Sequence, residues 1–193
     1  NGNTVTGNDN YVDGVGNQLL GNNNGSLGSV SGALDGNELP GIRGNLNSVV
    51  GNNNAIGSNS DNGFPTTGGN SNKILGDNNV IDDQIHLIGN GGGDAEFNSV
   101  VGNNNNVSGD NNFAAGNGTN TDGNKNVTIG QGAYASSGTD VPVDDVVAIG
   151  SNAGSTQTDG VAIGHDSSVD GEQGVAVGHL SNADGERSVA LGA

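Results

Sequence analysis

Short apolar triplets recur along this chain, each closed by a glycine and separated from the next by polar residues. They are plainest at the C-terminal end, where Val147-Ala148-Ile149, Val161-Ala162-Ile163, Val175-Ala176-Val177 and Val189-Ala190-Leu191 start fourteen residues apart. Gly150, Gly164, Gly178 and Gly192 follow them. Further back the same glycine falls at Gly130, Gly116 and Gly102, after Val127-Thr128-Ile129, Phe113-Ala114-Ala115 and Ser99-Val100-Val101. Gly109, Gly123, Gly171 and Gly185 lie midway, so the unit is seven residues taken in pairs. Gly7, Gly14, Gly21 and Gly28 repeat the step near the N-terminus.

A period of seven suggests a coiled coil, which needs two spaced apolar positions joined by strong helix formers. Here glycine holds every seventh place, and each costs a helix interior roughly 1 kcal/mol relative to alanine. Asn-Gly and Asp-Gly pairs mark turns, and the segments between them are rich in Val, Ile and Thr, which suit strands. The pattern therefore predicts an all-β solenoid of short strands and tight turns, two strands per fourteen-residue coil. One strand carries the apolar triplet and the other is more polar, as in Ser168-Val169-Asp170. Side chains alternate across a strand, so Val161 and Ile163 share one face and Ala162 takes the other. Both faces are apolar, yet a narrow roll has one interior, so the second face calls for another copy of the chain. Glycine after each triplet supplies a positive φ for the turn, a region that asparagine also tolerates.

Composition sharpens this picture. The 193 residues include 38 Gly and 34 Asn, with no Cys, Met or Trp. All but two of the asparagines precede residue 127, which suggests side-chain ladders between coils. Low hydrophobicity and a net charge of −17 would alone suit disorder, but disorder does not need registered Val and Ile. Absence of Cys excludes disulfides and thiolate metal sites. No apolar run is long enough to span a membrane as a helix. Four Lys and Arg against 21 Asp and Glu disfavour nucleic acid and anionic membranes as partners. The chain opens on Asn1 without a signal peptide and stops at Ala193, one residue into another repeat, as expected of a piece of a longer protein.

The repeated Val-Ala-Ile-Gly resembles the head repeat of trimeric autotransporter adhesins, the YadA-like heads. The likeness is strongest over 99–193, with 1–98 an Asn- and Gly-rich, less regular part of one continuous head. It implies a homotrimer of left-handed parallel β-rolls at a bacterial cell surface, anchored in the outer membrane by a C-terminal region outside this sequence. It further implies attachment to host cells or extracellular matrix, and makes the second apolar face the trimer interface. The family's fuller motif, Asn-Ser-Val-Ala-Ile-Gly followed by Ser, is associated with collagen binding in some members. Its nearest matches are Asn98-Ser99-Val100-Val101-Gly102, without Ala-Ile, and Val147-Ala148-Ile149-Gly150-Ser151, without Asn-Ser, so collagen is not assigned.

Four interruptions break the period: Ser29 to Leu46, Ser60 to Asn72, Asn90 to Phe97, and six extra residues within Ala133 to Asp145. Insertions in solenoids map to loops, and loops on rigid scaffolds often carry function. Arg43, Phe64, Phe97 and Tyr134 are the candidate ligand-contacting residues there. His165 and His179 each follow a triplet glycine and should stack, but Ser151 and Ala193 share their slot, so the pair is assigned to a solvated surface. Asp82-Asp83 and Asp144-Asp145 lack the nine-residue period of calcium-binding rolls. No metal or cofactor is assigned. Asn-x-Ser/Thr at Asn24, Asn106, Asn117 and Asn126 is expected by chance in so Asn-rich a chain. Enzymatic left-handed helices run at a period of six, and no histidine has an evident catalytic partner, so an enzyme is not expected. Thr is too scattered for an ice-binding array. An adhesin head remains, with a passive surface spacer as the alternative.

Overall fold

The computed structural model describes residues 2–10, 12–24, 42–43, 46–56, 71–82, 96–138 and 141–192. Within them lie 21 strands and no helix, numbered from β1 (Thr4–Thr6) to β21 (Val189–Leu191). Odd-numbered strands form one 11-stranded sheet and even-numbered strands a 10-stranded sheet, each in strict sequence order. Every pairing is parallel, as in Val147 beside Val161 and Ala148 beside Ala162. The chain is thus a two-sheet β-roll, one strand in each sheet per coil.

The pairing register confirms the period and locates its breaks. Bonds between equivalent residues of neighbouring coils span fourteen residues in regular coils, as from Asn112 to Asn98. The span rises to 30 between Asn47 and Asn17, 25 between Asn72 and Asn47, 26 between Asn98 and Asn72, and 20 between Val146 and Asn126. These are the four interruptions, and pairing resumes in register after each. A one-residue slip would turn every apolar side chain to the wrong face, and none of the four interruptions causes one.

The interior is built from the second residue of most strands. Leu19, Val49, Ile74, Val100 and Ala114 of the first sheet meet Ile56, Ile81 and Val107 of the second. A buried hydrogen bond of 2.7 Å joins Thr121 and Thr128 across the roll. Beyond it the interior becomes smaller in side-chain volume, with Ala153, Ala162, Val169, Ala176 and Ala183.

Two buried asparagine columns hold the corners of the N-terminal two-thirds, as the asparagine excess suggested. In the first, the backbone N–H groups of Asn98, Asn112 and Asn126 donate to Oδ1 of Asn72, Asn98 and Asn112. The second column runs through Asn24, Asn54, Asn79 and Asn105 in the same way. Nδ2 of Asn24, Asn54, Asn79, Asn98, Asn105, Asn112 and Asn126 also donates to a turn carbonyl of the next coil, as Asn79 does to Gly102 at 2.8 Å. Burying an amide without partners costs roughly 1–3 kcal/mol, and these ladders give the corner amides their partners. Asn24 and Asn126, two of the Asn-x-Ser/Thr asparagines, are buried in these columns. Past residue 126 the first column holds Val146, Gly160, Gly174 and Ser188, and in the second column Ser167 and Ser181 instead donate to Gly164 and Gly178 within their own turns.

Glycine after each triplet is required by a close approach. Gly150 and Gly164 have φ of +140° and +137°. A Cβ on Gly150 would lie 2.2 Å from the carbonyl oxygen of Gly164. Gly102, Gly130, Gly178 and Gly192 share the positive φ, but Gly116 does not. Its φ corrects its assignment to a positive-φ turn; it lies inside strand β11 (Phe113–Asn117), as Gly102 lies inside β9 (Ser99–Asn103). Gly116 is still barred from carrying a side chain, because a Cβ would meet the Gly130 oxygen at 2.0 Å. The left-handed conformation recurs two residues after the glycine, at Asn23, Asn53, Asn78, Asn104 and Asn152.

Candidate interaction surfaces

The first sheet presents two outward columns, the residues flanking each buried middle position. Ala162 is fully buried while Ile163 beside it is 37% exposed. The column before each turn glycine is apolar from Leu20 through Val50, Leu75, Val101, Ala115, Ile129, Ile149, Ile163 and Val177 to Leu191. With strands roughly 4.8 Å apart, this strip runs for about 45 Å. The other column changes character along the roll. It holds Thr4, Gln18, Ser48, Lys73 and Ser99, then Phe113, Val127, Val147, Val161, Val175 and Val189. In the triplets named from the sequence, Ala148, Ala162 and Ala176 therefore line the interior, and the flanking Val, Ile and Leu face out. Ala190 packs against the same core, between exposed Val189 and Leu191.

The second sheet is polar outside. Ser168, Asn182, Thr156, Asp170 and Asp184 face outward around buried Ser155, Val169 and Ala183. Some of these positions bond between coils, as Thr156 Oγ1 does to Asp170 at 3.0 Å. The turns carry a third, half-exposed ladder: backbone N–H groups of Glu96, Asp110 and Asn124 donate to Oδ1 of Asp110, Asn124 and Asp144. Asp144 is thus a rung of this ladder, and Asp145 is its left-handed turn neighbour.

The proposed loop residues scatter. Arg43 belongs to strand β4 (Ile42–Arg43), paired with Asp13, so its placement in a loop is corrected. The interruption returns to the sheet earlier than the missing glycine step suggested. Phe64 lies outside the described residues. Phe97 is 59% exposed on a turn with φ +58°. Tyr134 is also not in a loop: it opens strand β14 (Tyr134–Ala135), where its ring covers the outer side of Gly154 and its hydroxyl lies 3.5 Å from Ser168 Oγ. The six extra residues instead fall at 137–142. Ser136 still bonds to Ser155, and Val143 takes the slot of Gly123, donating to Asp122 and accepting from Asn126. Ser137 Oγ closes the loop base on the Val141 carbonyl at 2.8 Å.

His165 and His179 stack as their spacing predicts, with ring centroids 5.2 Å apart and planes inclined by 21°. The spacing did not show that Asp166 joins them, with Oδ2 at 2.9 Å from His165 Nδ1.

Residues 147–167 and 170–193 match the YadA head domain repeat, in two copies. This C-terminal stretch carries YadA-like head repeats. Heads of this family are the adhesin-type parts of cell-surface trimeric autotransporters. No curated protein matches the chain. No solved structure matches it either. The matched residues form the regular end of the roll, yet the first sheet continues from there to β1 and the second to β2. What carries the architecture through the unmatched part is the apolar residue before each turn glycine. That signal was present in Gln18-Leu19-Leu20, Ser48-Val49-Val50 and Lys73-Ile74-Leu75, where only the flanking residues differ from the regular triplet. No helix among the described residues is long and apolar enough to cross a membrane.

Proposed function

We propose that this YadA-like head is the non-enzymatic, distal part of a bacterial surface adhesin, assembled as a homotrimer and attaching the cell to host cells or extracellular matrix. An anchor in the outer membrane, C-terminal to this sequence, would hold it at the surface. The apolar outer face of the first sheet carries this reading. A strip of Leu, Val, Ile and one Ala extending over about 45 Å (nine strand steps of roughly 4.8 Å) is larger than a soluble monomer ordinarily leaves in water. Three copies turning this face to a common axis would cover it and leave the polar sheet, Tyr134, Phe97 and the inserted loops pointing outward. Each chain would then present the same contacts three times, and weak contacts gain avidity without becoming stronger individually. A charge of −17 per chain keeps such heads apart from one another and from acidic surfaces.

The test is sedimentation of the wild-type head and of Ile149→Lys/Val177→Lys, followed by binding to immobilised collagen, fibronectin and laminin and to host cells. The wild type should sediment as three chains. The double substitution should sediment as a single chain that keeps its β circular dichroism, because both side chains lie outside the roll's own core. A stable wild-type monomer would refute the trimer. A trimer that binds none of the surfaces would favour the passive spacer over the adhesin.

A further inference from the structure

We propose that His165, Asp166 and His179 form a binding site for a divalent first-row transition cation, one per chain. The two histidines occupy the same slot in adjacent coils, directly after Gly164 and Gly178. The parallel pairing of Ile163 with Val177 fixes their separation. One nitrogen of each ring and one carboxylate oxygen of Asp166 all lie within 4.8 Å of one another. Around a tetrahedral ion with bonds of about 2.0–2.2 Å, donors sit roughly 3.4 Å apart. Small rotations of the imidazoles therefore close the set. Both rings are exposed, His165 to 54%, so apart from their mutual stacking no packing holds them in place.

The backbone beneath the site is already ordered. Asp166 sits in the left-handed turn position with φ +55°. Asn152 Nδ2, one coil back, donates to Asp166 Oδ1 at 2.9 Å and leaves Oδ2 turned toward His165. A carboxylate held in this way orients an imidazole ligand or completes the donor set itself. Two imidazoles and a carboxylate suit Cu(II), Ni(II) and Zn(II), with Cu(II) bound most tightly. They do not suit Ca(II), which takes six to eight oxygens. The remaining coordination positions are left to water. Such an ion would tie two consecutive coils together on the outside of the roll.

Titration calorimetry of the whole chain with CuCl2, ZnCl2 and CaCl2 tests this. Cu(II) and Zn(II) should bind at one ion per chain, Cu(II) more tightly. His165→Ser/His179→Ser should weaken both by at least tenfold. That variant keeps the fold because Ser151 already fills the same slot one coil earlier. His86→Ser, at the remaining histidine, should change nothing. Pulsed electron paramagnetic resonance of the Cu(II) form should show two imidazole nitrogens in the wild type. Unchanged affinity in the double variant would overturn the site, as would an equal loss in His86→Ser. A stoichiometry of one ion per three chains, or copper spectra with a single imidazole, would also overturn it.

Discussion

A glycine that faces the carbonyl of another glycine has no room for a methyl group. Gly164 repeats this contact in the middle of the regular coils, at φ +137° and with the Gly178 oxygen 2.3 Å from where a Cβ would stand. The neighbour is backbone, so it cannot rotate away. Gly164→Ala should destabilise the roll by about 2–4 kcal/mol, combining backbone strain and overpacking. Urea unfolding followed by circular dichroism would show it. Gly118→Ala provides the contrast. Its φ is +72°, but a Cβ there would meet nothing within 4 Å, so only backbone strain remains and the loss should be about 1–2 kcal/mol. The position of the glycines after each triplet was legible from the period alone. Their reason was only half legible, since Gly116 keeps the close contact without the turn conformation.

At the scale of the element, the short strands are held as much by their corners as by their interior. Asn112 shows how. Its Oδ1 accepts from the Asn126 N–H, and its Nδ2 donates to the carbonyls of Gly123 and Ser108. Asn112→Ala leaves these partners buried and unmet, and should cost about 2–4 kcal/mol. Asn124→Ala removes a comparable rung from the half-exposed turn ladder, where water can replace it, and should cost less than about 1 kcal/mol. Thermal melts of the two variants would separate the ladders. The first buried column ends after Asn126, where Val146 and small residues take over, and the second ends after Asn105, where Thr119 and small residues follow. The count of asparagines along the sequence already marked the first of these boundaries. Which asparagines were buried, and that each bonds both forward and sideways, required the coil geometry.

For the molecule as a whole, insertions are tolerated because the register is set by the coils that flank them. Deleting residues 137–142 restores a fourteen-residue spacing between Val127 and Val147 and leaves Ser136 and Val143 in their slots. Stability should change by no more than about 0.5 kcal/mol. Removing residues 136–142 instead would shift the following strand by one position and turn its alternation inside out. That variant should fail to give a cooperative melt. If the six-residue deletion also abolishes attachment to host surfaces, this loop carries the adhesive contact. Retained attachment would move the contact to the polar sheet or another loop. The candidate contact residues were the least legible part of the sequence. An interruption shows where the period fails, and the chain can return to a strand before the period recovers. Arg43 and Tyr134 did so.

The sequence by itself determined the coil. Its seven-residue glycine step, alternating apolar triplets and asparagine excess dictate short strands, tight corners and a parallel stack, because each is a local constraint repeated in register. It also carried the likeness of residues 147–193 to the YadA head repeat, through Val-Ala-Ile-Gly at steps of fourteen. The tertiary structure decided which side of the triplet faces in. Alternation separates Ala162 from Val161 and Ile163 but does not say which side is the roll's interior. The second sheet settles it by enclosing the smaller residue. It also decided that Asp166 meets the paired histidines, since that contact depends on a left-handed turn and on Asn152 in the preceding coil. Repetition writes local geometry into the sequence, whereas meetings between coils exist only once the coils are stacked.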